Sequence, residues 1–391
     1  MSNLKELDAK YIAHTYARFP VEADHGEGSL IWDTDGKRYI DMGTGIGVTA
    51  FGIGDPEWKE AVIGQIEKLQ HVSNLYYTEP GVKLAEMLCE RTGLKKVFFG
   101  NSGAEANECA IKVARKYAAE KKGPEYNVIV TLWNSFHGRT LTTLAATGQE
   151  HYHELFQPLT PGFVHVTPGD IDELKKVFSE NKVAGFLIEC IQGEGGVNVM
   201  DEAYLKAAEA LCKEQDILLM VDEVQTGNGR TGKLFSYMNF GLTPDVVSTA
   251  KGIGGGLPMG ACLIGEKAEN VLGPGDHGST FGANPVSCAG AVSIISRLTD
   301  EFLSEVAEKG AYIRKAFEGF PGVEYVSGLG LMIGIKTKAP AGAVVTKCME
   351  KGVLCLTAKD KVRLLPALNI PMELIEEAVS VIGEAITECE G

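Results

Sequence analysis

Short apolar runs alternate with helical patterns of apolar and polar residues from about residue 55 to residue 291. The runs are rich in β-branched residues and predict buried strands, while the stretches between them are amphipathic at helical spacing. This alternation is typical of a mostly parallel sheet with helices on both faces. The predicted strands are VFF from Val97, NVIVTL from Asn127, AGFLIE from Ala184, ILLMVDE from Ile217, VVSTA from Val246 and ACLIG from Ala261.

The first helix of this region has clear start signals. Asp55 is a favourable N-cap residue, and Pro56 suits the first helical position because its missing N–H has no partner there. Apolar side chains then recur at helical spacing, at Trp58, Val62, Ile66 and Leu69.

Both ends of the chain have a different pattern. Residues 1–54 are glycine-rich and strand-like, and residues 295–391 mix charged helices with short strands such as LMIGIK and VRLLPAL. We therefore predict a three-layer α/β fold with a large domain at residues 56–294. A smaller α+β domain is predicted to combine residues 1–55 with residues 295–391.

Composition narrows the range of partners. The chain has 391 residues, with 52 acidic and 37 basic side chains and a formal net charge of -15. No Lys/Arg cluster is present, so the sequence predicts no nucleic-acid partner and no binding to an anionic membrane. No apolar run approaches the ~18 residues that span a bilayer, and the N-terminus does not resemble a secretory signal. We expect a cytoplasmic protein.

Cysteine and histidine patterns give little sign of a metal site. The nine cysteines are scattered without a CxxC pair, which suits reduced and mostly buried thiols. His151 and His153 lie close together but have no third ligand nearby, and they fit exposed loop residues better. The sequence predicts no metal.

A helix that follows the strand at Val97 could bind an anion. It begins in the segment NSGAEANECAIKVARKYA, where Ser102 and Glu105 match a capping box. Free N–H groups and the helix dipole at this end attract negative charge. Many helices begin in this way without a ligand, so this segment alone does not establish a site.

Two further segments carry charged residues at predicted strand ends. Asp222 and Glu223 follow the strand ILLMV, where open α/β sheets bind ligands. The stretch after them nearly matches a P-loop, but Leu234 stands where that loop needs Ser or Thr, so we reject a nucleotide site. Lys251 lies between an apolar strand and the glycine run GIGGG, which predicts a desolvated amine able to attack a carbonyl.

Together these segments match what pyridoxal phosphate requires. The cofactor needs an anion-binding helix end, a carboxylate that keeps its pyridine nitrogen protonated, and a lysine that carries its aldehyde. The sequence offers Ser102, Asp222 and Lys251 for these roles, in that order along the chain.

The sequence closely resembles the class III aminotransferases of fold type I. The resemblance covers nearly the whole chain, and its motifs are long and in family order. They are GEGSLIWDTDGKRYIDM, NSGAEANE, FHGRTL, IQGEGGV, DEVQTGNGRTG, AKGIGGGLPMGA, HGSTFGANP and VRLLPAL.

The resemblance assigns cofactor roles to individual residues. It implies that Ser102, Gly103 and Ala104 surround the cofactor phosphate, and that Lys251 carries the aldehyde. The remaining cofactor contacts implied by the resemblance are Phe136 stacked on the ring, Asp222 at the pyridine nitrogen, Gln225 near the ring hydroxyl, and Thr280 reaching the phosphate of a neighbouring subunit. A homodimer with shared active sites is therefore expected.

Substrate roles follow from the same motifs. Arg139 corresponds to the family's substrate-carboxylate arginine, and Arg363 to a second arginine that grips the carboxylate beside glutamate's amine. Glu194 resembles the acid that pairs with the second arginine and swings away for glutamate. Ser279 matches a position that contacts an acetylated substrate.

The resemblance implies transfer of the δ-amino group of N2-acetylornithine to 2-oxoglutarate, as in arginine biosynthesis. Ile46, where ornithine enzymes carry tyrosine, and the GEGG of the Glu194 motif favour that substrate. Sister reactions on succinylornithine, ornithine, 4-aminobutyrate or N-succinyl-diaminopimelate remain alternatives, as does a non-catalytic cofactor-binding regulator. The sequence departs from the family at GIGDPE from Gly52 and at Cys190, which replaces a usual proline.

Overall fold

The N-terminal part of the chain forms a small sheet. A computed structural model describes residues 4–390. Strands β1 to β3 form an antiparallel meander whose third strand pairs in parallel with β15 (Val353–Leu354) from the C-terminal part. The elements here are α1 (Leu4–Tyr11), β1 (Ala23–Glu27), β2 (Leu30–Asp33), β3 (Arg38–Asp41) and α2 (Thr44–Gly47).

A seven-stranded sheet forms the centre, in the order β4-β12-β11-β10-β7-β5-β6. All strands are parallel except β12, which runs antiparallel to both neighbours. The six predicted strands are confirmed, and β6 at the edge was not predicted. The bounds are β4 (Lys96–Gly100), β5 (Val128–Leu132), β6 (Phe163–Val166), β7 (Val183–Ile188), β10 (Leu218–Asp222), β11 (Val246–Ala250) and β12 (Gly260–Ile264), with a small hairpin of β8 (Ile191–Gln192) and β9 (Asn198–Val199).

Helices cover both faces of this sheet. Successive strand residues point to opposite faces: Ile129 and Leu218 join one apolar core, whereas their neighbours Val130 and Leu219 join the other. The predicted three-layer arrangement is thus confirmed. The helices of this region are α3 (Pro56–Lys68), α4 (Glu79–Thr92), α5 (Gly103–Lys122), α6 (Leu141–Ala146), α7 (Ile171–Glu180), α8 (Glu202–Glu214) and α9 (Pro285–Arg297), with 3₁₀ turns at Ser73–Leu75, Glu150–Tyr152, Ser236–Phe240 and Lys251–Ile253.

The start of α3 agrees with its sequence signals. The Asp55 side chain accepts a hydrogen bond from the N–H of Trp58 at 2.9 Å and also pairs with Arg297 at 2.7 Å. Val62 is buried, but Ile66 of the predicted apolar face is 52% exposed. This helix therefore presents part of its apolar surface to the outside of the chain.

The C-terminal part forms a second small sheet, in the order β13-β14-β17-β16. The predicted division of the chain at 294/295 falls inside α9 and stays a prediction. The remaining elements are α10 (Asp300–Phe317), β13 (Val323–Leu329), β14 (Met332–Thr337), α11 (Ala341–Glu350), β16 (Leu356–Ala358), β17 (Lys361–Leu364) and α12 (Met372–Glu390).

Candidate active site

The carboxyl ends of the parallel strands open on one cavity of about 360 Å³. Because parallel strands end at the same edge, residues far apart in sequence meet there. This volume lies in the range of small-molecule sites. Eight of the predicted site residues line the cavity: Ser102, Gly103, Ala104, Phe136, Glu194, Asp222, Gln225 and Lys251.

The N-terminus of α5 lies at one end of the cavity. Ser102 is the N-cap, and its Oγ accepts a hydrogen bond from the N–H of Glu105 at 3.2 Å. The expected capping box is wrong in its second half, because the Glu105 carboxylate accepts from the N–H of Asn101 rather than that of Ser102. A Cβ on Gly103 would lie 2.6 Å from a Val224 methyl group, so only glycine allows this helix end to approach the strand edge so closely.

Asp222 forms the floor of the cavity with partners that the sequence analysis missed. One carboxylate oxygen, Oδ2, accepts from Nδ1 of His137 at 2.7 Å and from Nδ2 of Asn107 at 2.7 Å. The other oxygen accepts from the N–H of Val224 at 2.9 Å. All three side chains are buried, and the three donors hold both carboxylate oxygens as hydrogen-bond acceptors. His137 directly follows Phe136 and Asn107 lies within NSGAEANE, so both residues stand inside the quoted motifs, although the motifs do not show that they contact Asp222.

Lys251 follows β11 and takes an unusual backbone conformation. Its φ is +49°, in the left-handed region where a non-glycine residue is uncommon. Burial lowers the pKa of its amine, an effect opposed by the negative charge of Glu194 and reinforced by the positive charge of Arg363. A neutral amine at neutral pH is a better nucleophile and proton acceptor than an ammonium group.

Glu194, which lines the cavity, forms an ion pair with Arg363, which is buried and lies outside the lining. Nη1 of Arg363 donates to Oε1 of Glu194 at 2.6 Å and to Oε1 of Gln225 at 3.0 Å, and Nε2 of Gln225 donates to the same Glu194 oxygen at 3.0 Å. Burial raises the pKa of Glu194, but the charge and hydrogen bond of Arg363 outweigh it and the pKa is lowered. The pairing of the predicted acid and arginine is therefore present in this structure.

Arg139 lies outside the cavity lining and is exposed. Its guanidinium is 4.1 Å from the ring centroid of Tyr152 and 5.3 Å from that of Phe136. Within residues 4–390 it makes no ion pair. An arginine held only by aromatic faces keeps its donors available for a carboxylate.

Ser279 and Thr280 are also outside the cavity lining. The Ser279 hydroxyl accepts from Nδ2 of Asn101 at 3.2 Å and from the N–H of Gly282 at 2.9 Å, which ties its loop to the residue before the α5 N-cap. Thr280 is exposed. Within one chain, Thr280 does not make its predicted cofactor contact and Ser279 does not make its predicted substrate contact, because neither residue lines the cavity.

The residues present fit pyridoxal phosphate. The cavity has free N–H groups at a helix end for a phosphate, a buried carboxylate that accepts through both oxygens for a protonated pyridine nitrogen, and an amine with a lowered pKa for an aldehyde. Between residues 4 and 390 there is no group of three or more His, Cys, Asp or Glu residues that could hold a metal ion.

The profile of the family described as aminotransferase class-III matches residues 11–386. The chain therefore belongs to the class III aminotransferases, a family whose cofactor is pyridoxal phosphate. It is 52% identical to the acetylornithine aminotransferase of Haemophilus ducreyi, over 98% of each chain. It is 44% identical to the acetylornithine aminotransferase of Methanocaldococcus jannaschii, over 99% of this chain and 98% of the relative.

Solved structures agree with this assignment. The ornithine aminotransferase from Toxoplasma gondii ME49 matches with a TM-score of 0.95 at 32% identity, covering 99% of this chain and 95% of that chain. The N-acetylornithine aminotransferase from Stenotrophomonas maltophilia matches with a TM-score of 0.85 at 34% identity, covering 98% of both chains. These likenesses confirm the predicted fold type and the predicted enzyme class.

Proposed function

We propose that this chain transfers the δ-amino group of N2-acetylornithine to 2-oxoglutarate, giving N-acetylglutamate 5-semialdehyde and glutamate. The proposal rests on one observation, that the two arginines differ in exposure and in ion pairing. Arg363 is paired with Glu194, whereas Arg139 is exposed and has no acidic partner in the described part of the chain. The names of the relatives at 44–52% identity support the same substrate and a place in arginine biosynthesis.

The two arginines suit two substrates of different charge. Acetylornithine has a carboxylate for Arg139 but none beside its reacting amine, so Glu194 keeps Arg363 neutralised in the first half-reaction. Glutamate has a second carboxylate that replaces Glu194 on Arg363 in the other half-reaction. Because Glu194 is partly exposed, its carboxylate can turn toward water when it leaves.

The chain's own residues provide proton transfer and orientation. When bound, pyridoxal phosphate supplies an aldehyde for the amino group and a ring that accepts the electron pair of the broken C–H bond. Lys251 releases the aldehyde and then moves the proton with its Nζ, and its lowered pKa favours the free amine. Asp222, held by His137 and Asn107, keeps a proton on the ring nitrogen.

We further propose a homodimer in which Thr280 completes the partner's site. Large apolar side chains are exposed on α3, in residues 75–82 and at Phe281, and Asn74 joins two of these segments by donating to the carbonyl oxygens of Ser279 at 3.0 Å and Gly282 at 2.8 Å. An exposed apolar area of this kind commonly marks a protein interface. The exposed side chains are Ile63, Ile66, Leu75, Tyr76, Tyr77, Val82 and Phe281.

No helix between residues 4 and 390 is both long and apolar enough to cross a membrane. A cytoplasmic location stays a prediction.

Single-turnover kinetics test the substrate assignment. The purified protein is loaded with pyridoxal phosphate and mixed in turn with acetylornithine, succinylornithine, ornithine, 4-aminobutyrate and N-succinyl-diaminopimelate. Absorbance reports the conversion of the cofactor. Acetylornithine is expected to have the highest rate per unit concentration. A higher value for another amine would transfer the assignment to that amine, and conversion by none of them would overturn it.

A further inference from the structure

Glu189 is a buried carboxylate in the active-site cavity to which the proposed mechanism gives no role. It directly follows β7 and lines the cavity near Glu194 and Asp222, with only 5% of its surface exposed. A buried acid is costly unless its oxygens are hydrogen-bonded. Its partners therefore indicate what it does.

The carboxylate joins two separate loops. Oε1 accepts from the N–H of Phe136 at 2.9 Å, in the loop after β5, and Oε2 accepts from the N–H of Gly193 at 3.0 Å, in the loop between β8 and β9. An ionised carboxylate suits both bonds, because a protonated one carries a hydrogen on one of the two oxygens and accepts less strongly there. Gln192 adds a second link between these loops, donating to the Trp133 carbonyl at 2.8 Å.

Opposing effects act on this acid. Burial raises the pKa of Glu189 and the charge of Asp222 adds to the increase, while His137 and the two N–H donors lower it. The two N–H donors thus favour an anion at a place where burial disfavours one. Such a costly group persists where its hydrogen bonds hold neighbouring structure in place.

The loop that Glu189 holds is the one that carries Glu194. Gly193, whose N–H binds Glu189, directly precedes Glu194, and the Gly193 carbonyl accepts from Nη1 of Arg363 at 3.4 Å. The position of the Glu194 backbone therefore depends on Glu189. Whether Glu194 stays on Arg363 or leaves it depends in turn on that position.

We propose that Glu189 is a positioning residue that holds Glu194 on Arg363 and so sets the preference between amines with and without a carboxylate beside the reacting carbon. This role rests on the proposed function. Glu189 acts through the loop and does not touch the substrate.

Replacing Glu189 with glutamine tests this role. Glu189→Gln keeps the shape, but its NH₂ group faces one of the two N–H donors and releases one loop. Glu194 then leaves Arg363 more easily. The Arg363 guanidinium is unpaired when acetylornithine is bound, whereas glutamate pairs with it through its own carboxylate. We expect the acetylornithine half-reaction to slow about tenfold more than the glutamate half-reaction, equivalent to ~1.4 kcal/mol. Single-turnover rates of both half-reactions measure this ratio.

Glu223 offers a matched control. It is another buried carboxylate at a strand end, but it accepts from Ser236 Oγ, Thr226 Oγ1 and the N–H of Tyr237 and does not line the cavity. Glu223→Gln is expected to lower stability without changing the ratio of the two half-reactions. Equal slowing of both half-reactions in Glu189→Gln, or an unchanged ratio, would overturn the proposal.

Two additions keep the test decisive. If Glu189→Gln does not fold, Glu189→Asp keeps the charge but is one methylene too short to reach both N–H groups, and the same shift in ratio is expected.

In a Glu194→Ala background, Glu189→Gln should change the ratio no further, because its effect passes through Glu194. If wild-type protein does not use acetylornithine, the proposed substrate fails, and the best terminal amine takes its place in the comparison with glutamate.

Discussion

Nη1 of Arg363 and Oε1 of Glu194 lie 2.6 Å apart, and the two side chains differ in exposure. Arg363 has 3% of its side chain exposed, whereas Glu194 has 30%. Removing the acid would leave a buried positive charge, but removing the arginine would leave a carboxylate that can reach water. We therefore expect the acid, not the arginine, to move when the pair separates.

Arg363→Ala should separate the two half-reactions. We expect the glutamate half-reaction to slow at least about tenfold more than the acetylornithine half-reaction, because only glutamate binds this guanidinium. Loss of the buried partner of a carboxylate typically costs several kcal/mol of binding free energy. Single-turnover absorbance with each amine measures the effect. Equal losses in both half-reactions would exclude the proposed exchange between Glu194 and glutamate.

Lys251→Ala should abolish turnover while the protein still retains the cofactor. The α5 N-terminus and Asp222 remain available to hold it, but no amine remains to release the aldehyde or move the proton. Activity assays and measurement of cofactor retained after dialysis check both parts. Lys233→Ala, which removes an exposed lysine, is the control and should keep its activity. Substantial turnover in Lys251→Ala would refute the assignment.

Tyr152 should determine how well Arg139 binds carboxylates. Tyr152→Leu removes the ring against which the guanidinium lies at 4.1 Å, and an exposed contact of this type contributes about 0.5–1 kcal/mol. We expect KM to rise about two- to fivefold for both acetylornithine and 2-oxoglutarate, with kcat little changed. Tyr152→Phe keeps the aromatic face and should restore KM. A fall in kcat at constant KM would contradict this role.

The sequence predicted the elements better than the contacts between them. Six central strands were predicted because each is a short run rich in apolar and β-branched residues, whereas β6 is a four-residue edge strand interrupted by His165. The Lys251 and Asp222 assignments came from strand ends, which the sheet brings to one edge. The bonds from His137 and Asn107 to Asp222 depend on strand order and helix rotation, which local patterns do not determine.

His165 should make stability depend on pH. Burial lowers its pKa to about 4, with contributions from the charges of His153 and His137, and its Nδ1 lies 2.6 Å from Thr131 Oγ1. The pKa of this histidine is 6.5 in the unfolded chain, so between pH 4 and pH 6.5 the unfolded chain binds more protons than the folded chain. Stability is therefore lost as the pH falls through this window. The loss at pH 5 relative to pH 7 should be about 2 kcal/mol.

His165→Gln should reduce that loss. Urea unfolding at pH 7 and pH 5 gives the difference in unfolding free energy for each variant, and His14→Gln, at an exposed histidine, is the control. An identical pH difference in wild type and His165→Gln would show that another group is responsible.

Mixed dimers should reveal whether Thr280 acts across the interface. Thr280→Asp places a negative charge where the partner's phosphate is expected, so this variant and Lys251→Ala should each be inactive alone. If Thr280 serves the neighbour, a dimer containing one chain of each variant has one site with both defects and one site with neither. Unfolding and refolding the two variants together should therefore recover activity. If Thr280 served its own chain, every site would carry one defect and the mixture would stay inactive.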